Sequence, residues 1–143
     1  MKALTLIQPW ATLIAIEEKK IETRSWRTLY QGELAIHAGK KIDKKICDQE
    51  PYNSVLAAHG YTADNLPTGC VVAVCTLLDC CKIFYDEADR VSRLMDFGCT
   101  KIEGNELAFG DYTDGRYGWK LHDVKMLTEP IPAKGALSLW EWL

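Results

Sequence analysis

The densest group of reactive side chains lies in EEKKIETRSW (17–26), where Lys19, Glu22 and Arg24 follow a K-x-x-E-x-R spacing. A lysine and a glutamate held close favour each other's charged forms. Such a pair can bind: the carboxylate accepts from an amine or imino N–H of a base, and the ammonium meets a phosphate or carbonyl. It can also catalyse, with Glu22 as general base on a water and Lys19 stabilising the oxyanion. Arg24 offers a bidentate clamp for phosphate. Further candidates lie outside this stretch. QPWA brings Gln8 and Trp10, Trp26 closes the charged run, and IHAGK brings His37 and Lys40. ELAFGDYTDGRYGW adds Glu106, Arg116 and Tyr117. Trp10, Trp26 or Tyr117 could stack on a base, a contact worth about 1–3 kcal/mol. His37 at a strand end also reads as a hydrogen-bonded structural histidine, and Arg116 as a turn stabiliser.

The elements that must position these groups follow from periodicity. KALTLI reads as a strand and QPWATLIAIEEKK as a helix, with Pro9 suited to its first position. The apolar pattern stops at Glu17, so Glu17, Glu18 and Lys20 read as a solvated helix end. KIETRSW switches to period two, with Glu22, Arg24 and Trp26 on one face and Ile21, Thr23 and Ser25 on the other. Residues 33–38 predict a strand, and DKKICDQEPYNSVLAAHG predicts two helical pieces broken before Pro51. CVVAVCTLLDC has the continuous apolar run of a strand buried on both faces, and its alternation sends Cys70 and Cys75 to opposite sides. Residues 86–96 predict a short amphipathic helix, and 99–115 a polar loop. RYGWKL and VKMLTEPIPA predict two strands joined by a turn, with Trp140 and Trp142 as packing residues. Strands and helices alternate too unevenly for repeated parallel units. The expected fold class is α+β: a small mixed β-barrel flanked by helices, a single domain over 1–143.

Composition narrows the function. The 143 residues are 48% hydrophobic and 26% charged, as in globular chains. No apolar run approaches the roughly 20 residues that span a bilayer, so no membrane partner is expected. The N-terminus lacks the apolar core of a signal peptide, and the expected location is cytoplasmic. The six cysteines are then expected to be reduced, buried small hydrophobes, because their spacing lacks C-x2-C pairs. No metal or cofactor is expected. The net charge of -3 conceals nine basic against five acidic residues in 1–45, a net of +4, and a net of -7 over 46–143. A polyanion could approach the first third, but the whole chain is not a non-specific nucleic-acid binder.

TLIQPWATLIAIEEKKIETRSWRTLYQGELAIHAGK together with ELAFGDYTDGRYGW resembles the ASCH domain, a relative of the PUA domains of RNA-modifying proteins. The family signature G-x-K-x-x-E-x-R falls on Glu17, Lys19, Glu22 and Arg24, with Glu17 replacing the glycine. On that ground the turn there is expected not to use a positive φ. The resemblance implies a PUA-like barrel, with a cleft against the first helix lined by the signature residues. It also implies RNA or nucleotide-derived ligands. One branch of the family hydrolyses N4-acetylcytidine with a Lys, a Thr three residues later and a distant Glu. In that register the Lys is Lys19, but the Thr position holds Glu22, and Thr23 is one place off. Glu106 sits where the family places an acidic residue before the FG turn. Three readings follow: a binder of RNA or a modified nucleoside, a hydrolase of an acylated nucleoside or a ribonuclease using Lys19 and Glu22, and an interaction module of the transcription-coactivator type.

Overall fold

The computed structural model describes residues 1–143. β1 (Lys2–Gln8) leads into the one-and-a-half-turn α1 (Trp10–Ala15), then β2 (Ile21–Arg24) and β3 (Gly32–Ile42). Two short helices, α2 (Lys44–Cys47) and α3 (Tyr52–Ala58), precede the long β4 (Cys70–Asp86). β5 (Val91–Leu94), α4 (Gly104–Ala108), β6 (Tyr117–Pro132) and β7 (Leu139–Glu141) complete the chain. The strands run in the order β2-β6-β4-β3-β1-β7, with β5 paired to β4 beyond β6. β1 and β3 are parallel, and the other pairs are antiparallel. The fold is mixed α+β and PUA-like, as expected, but its barrel is open because β2 and β7 do not pair. No helix is long and apolar enough to cross a membrane.

The core explains why α1 holds its place. Ala11, Ile14 and Ala15 pack with Leu4, Leu6, Leu34, Ile36, Leu77 and Trp119 of the sheet. Leu13 joins Tyr52, Leu56 and Phe109 in a second cluster. One short helix thus buries both its flanks. β4 is covered on both sides, with Val72 in the main core and Val71 beside Ala3 and Ala35 on the opposite face. Trp140 and Trp142 pack on that outer cluster.

Several expectations change in detail. The stretch 86–96 is the β4–β5 hairpin rather than a helix. Asp86 accepts the backbone N–H groups of Ala88 and Asp89, and Arg93 spans back to Asp86 and Asp89; this local side-chain turn outcompetes helical hydrogen bonding. β6 is one strand from Tyr117 to Pro132, because Asp123, at φ 52, together with register shifts against β4, absorbs the expected turn as irregularity within the ladder. The same shifts bring Cys70 and Cys75 into one core cluster instead of sending them to opposite faces. The expected loop at 99–115 contains α4. The first helix ends at Ala15, and Pro9 precedes it.

Glu17 adopts φ 63, so the turn does use the left-handed region without a glycine. Its side chain is exposed and forms no ion pair, so nothing local offsets the cost of Cβ crowding there. Glu17→Gly is therefore expected to stabilise the fold by about 0.5–1 kcal/mol, the left-handed cost less the entropy of a new glycine, measured as a raised midpoint in chemical denaturation. A loss of stability would show the turn to be unstrained.

The six cysteines are free thiols. Burial pushes Cys75 and Cys81 up to about 12, so both remain protonated and unreactive through neutral and mildly alkaline pH. Cys99 is exposed. Limiting alkylation near pH 8 followed by peptide mass spectrometry is expected to label Cys99 first and to spare Cys75 and Cys81 until the chain is unfolded.

Candidate nucleotide cleft

The site is assembled around β2, a four-residue strand laid antiparallel on β6 with Glu22 opposite Trp119 and Arg24 opposite Tyr117. The turn leaving α1 directs the chain into it. The backbone N–H groups of Glu18 and Lys19 both donate to the Leu13 carbonyl, folding the chain back under the helix. That turn carries the Lys19 side chain inside, where it is 1% exposed. Its Nζ donates to the Ile21 carbonyl and lies 3.8 Å from Glu22 Oε1. The other Glu22 oxygen lies 3.0 Å from Arg24 Nε. This is a charge contact without hydrogen-bond alignment, since that Nε–H has no acceptor in line. Arg24 Nη2 donates to the Thr5 carbonyl at 3.0 Å, fixing the guanidinium across β1. Glu22 is therefore a nearly buried carboxylate with a cation on each oxygen.

Burial holds the Lys19 ammonium below the usual lysine range, Glu22 and Glu106 oppose that shift, and Arg24 adds to it. Glu106 reaches across 86 residues of sequence to accept the backbone N–H groups of Lys20 and Ile21, each at 3.0 Å. Tyr112 is buried beside this cluster, its hydroxyl without a hydrogen-bond partner. Burial raises its phenol pKa, and the Glu106 and Glu22 carboxylates add to the rise, so it stays a neutral phenol.

In front of Glu22 and Arg24 opens a cleft of about 510 Å³. Trp10, Tyr52 and Phe109 form one wall: Trp10 Nε1 donates to the Tyr52 hydroxyl at 3.3 Å, which donates to the Ala108 carbonyl. Trp26, standing edge-on to Trp119 at 4.8 Å, borders the other side. Arg116 completes the rim, anchored through Nε to the Asp111 carbonyl. Gly110 is required at the mouth, since a Cβ there would lie 2.7 Å from the Tyr112 ring. No group of three or more His, Cys, Asp or Glu is placed to hold a metal.

Of the residues singled out in the sequence, Trp10, Glu22, Arg24, Trp26 and Arg116 come together at the cleft. Lys19 and Glu106 support it from behind. Four do not line it. Gln8 is fully buried, and its amide accepts the Thr12 N–H and donates to Thr12 Oγ1 and the Pro67 carbonyl, pinning the start of α1. His37 and Lys40 lie along a separate groove, with His37 bonded to Thr5 Oγ1 and the Ala133 carbonyl. Tyr117 borders another depression with Arg27, Tyr30 and Lys82. The strict two-sided pattern of β2 also fails at the rim, where Thr23 and Ser25 border the cleft too. Thr23 Oγ1 accepts the Asp111 N–H at 3.0 Å. Sequence reasoning missed Thr5, Tyr52, Phe109 and Tyr112, which chain folding alone brings to this place. Only the glycine after Phe109 signalled a close approach.

Breaking the buried charge set tests its weight. Lys19→Met leaves Glu22 with one cation and is expected to cost about 3–5 kcal/mol, as for removal of one partner from a buried pair, measured by urea denaturation. A cost below about 1 kcal/mol, the range of exposed pairs, would show the pair to be effectively solvated.

The ASCH domain model matches residues 4–130. The chain is similar to Activating signal cointegrator 1 of mouse, 31% identical over 98 residues, and to the human protein of the same name, 30% identical over 98 residues. Each match covers 65% of this chain but 17% of the relative, so the chain corresponds to a small part of those proteins. With the family match running across almost the whole sheet, from β1 into β6, the chain belongs to the ASCH domain family of PUA-like, generally RNA-binding modules.

Proposed function

We propose that the cleft binds RNA through one of its nucleotides, or a modified nucleoside derived from it. The observation that carries this reading is Glu22, fixed between Lys19 and Arg24 at the foot of an aromatic-walled cleft. A carboxylate so held keeps an acceptor in place for an exocyclic amine or imino N–H. Burial strengthens the discrimination, since a base offering no donor would leave the carboxylate unsatisfied. Trp26 and Trp10 offer faces and edges for stacking, and Arg116, its Nε paired with the Asp111 carboxylate at 3.4 Å, has its terminal N–H groups left to meet a phosphate at the rim.

The same geometry favours binding over hydrolysis. Thr23, the hydroxyl nearest the hydrolytic register, accepts the Asp111 N–H, and no general base is hydrogen-bonded to its hydroxyl. Lys19 Nζ lies behind Glu22, bonded to a backbone carbonyl, rather than at the cleft surface. Glu106 spends its carboxylate on two backbone N–H groups. A coactivator-type interaction role is suggested by the names of the two relatives, but the shared segment is a minor part of each.

Titration of the protein with a short single-stranded RNA and with N4-acetylcytidine separates these readings. Trp26→Leu is expected to weaken RNA binding by about tenfold, within the 1–3 kcal/mol of a lost stack, with the nucleoside left chemically intact over hours. Release of acetate by the wild type that disappears in Glu22→Gln would replace the binding reading with hydrolysis. Absence of any binding would remove both.

A further inference from the structure

Beyond the cleft lies a second groove, of about 990 Å³, bordered by Thr5, His37, Lys40, Gly69, Lys134 and Gly135 among others. Thr5 is the wall shared by the two depressions. Its carbonyl holds Arg24 on the cleft side, while its hydroxyl bonds His37 Nδ1 and Trp140 Nε1 on the groove side. Both His37 nitrogens are occupied, so the imidazole is floor rather than ligand. Backbone packs directly on that floor: a Cβ on Gly135 would lie 2.6 Å from Thr5 Oγ1 and 2.7 Å from His37 Cε1.

The charge of the groove is one-sided. Lys40 and Lys134 line it, no aspartate or glutamate does, and neither lysine forms an ion pair. Lys41, Lys44 and Lys45, exposed and likewise unpaired, follow Lys40 in sequence, with Asp43, whose carboxylate caps α2, among them. In a chain of net charge -3 this is a local concentration of cations, next to the place proposed for a nucleotide.

We infer that the groove is a phosphate track: it carries the sugar-phosphate backbone of a single strand whose neighbouring nucleotide sits in the cleft, with Lys40 and Lys134 as the phosphate contacts. This rests on the nucleotide reading of the cleft and selects a polynucleotide over a free nucleoside as its ligand. A base meets the aromatic walls of the cleft only when unstacked from its neighbours, which single strands allow. Two lysines without a fork geometry suit backbone phosphates rather than base edges.

Fluorescence anisotropy with a labelled single-stranded RNA of about ten nucleotides, its DNA equivalent, and cytidine monophosphate as the short ligand tests the track. Both strands are expected to bind about tenfold more tightly than the mononucleotide at low salt. The double variant Lys40→Ala, Lys134→Ala, altered only at exposed positions, is expected to lose that advantage. Its log-log salt slope should fall by about 1.4, or 0.7 per phosphate contact on a single strand, with mononucleotide binding unchanged. Wild-type strand affinity and salt slope in the double variant would overturn the track and leave the cleft reading standing. Displacement of the strand by polyglutamate at equal charge would overturn it in favour of an acidic peptide. Failure of both strand and mononucleotide to bind would overturn cleft and track together.

Discussion

A carboxylate taken almost wholly out of water governs this structure. Glu22 has one oxygen toward Lys19 and the other against Arg24. Desolvating an ion costs several kcal/mol, and mutual attraction recovers that only when the counter-charges are fixed. Each counter-charge is fixed by backbone: Lys19 by the Ile21 carbonyl, Arg24 by the Thr5 carbonyl. The turn after α1, the pairing of β2 with β6 and the position of β1 are all constrained by one buried negative charge. The aromatic walls then have a rigid floor to stand on.

That constraint explains which parts of the site were legible. Lys19, Glu22 and Arg24 lie within six residues of one another on a turn and a strand, so spacing and alternation sufficed to group them. Arg116 and Trp26 flank the β2–β6 pair and came with it. Tyr52 arrives from α3, and Phe109 and Tyr112 from the segment after α4, through packing that no local pattern encodes. His37 and Lys40 looked equivalent to the cleft residues because they end a strand. The parallel pairing of β1 with β3 instead puts them on the far side of Thr5.

Where local reading failed, a specific side chain decided the outcome. Val91 and Leu94, spaced three apart among charges, fit an amphipathic helix, but the Asp86 carboxylate takes the following N–H groups and turns the chain. The β4–β6 ladder contains irregularities that invert the inside-outside assignment of residues beyond them, as with Cys70 and Cys75. Glu17 shows the converse, a conformation dictated by the surroundings despite an unsuited residue. Fold class survives such errors because it depends on the number and order of strands rather than on their register.

An unclosed barrel leaves strand margins able to recruit a neighbour's backbone, and β2 is one of them. Glu106 bears on this hazard. By taking the N–H groups of Lys20 and Ile21, it occupies the donors where β2 begins. The strand then runs for only four residues. A side chain first noticed as a possible acid thus leaves fewer free donors at the start of this margin, and a short strand with its first N–H groups already taken is a poor template for aggregation.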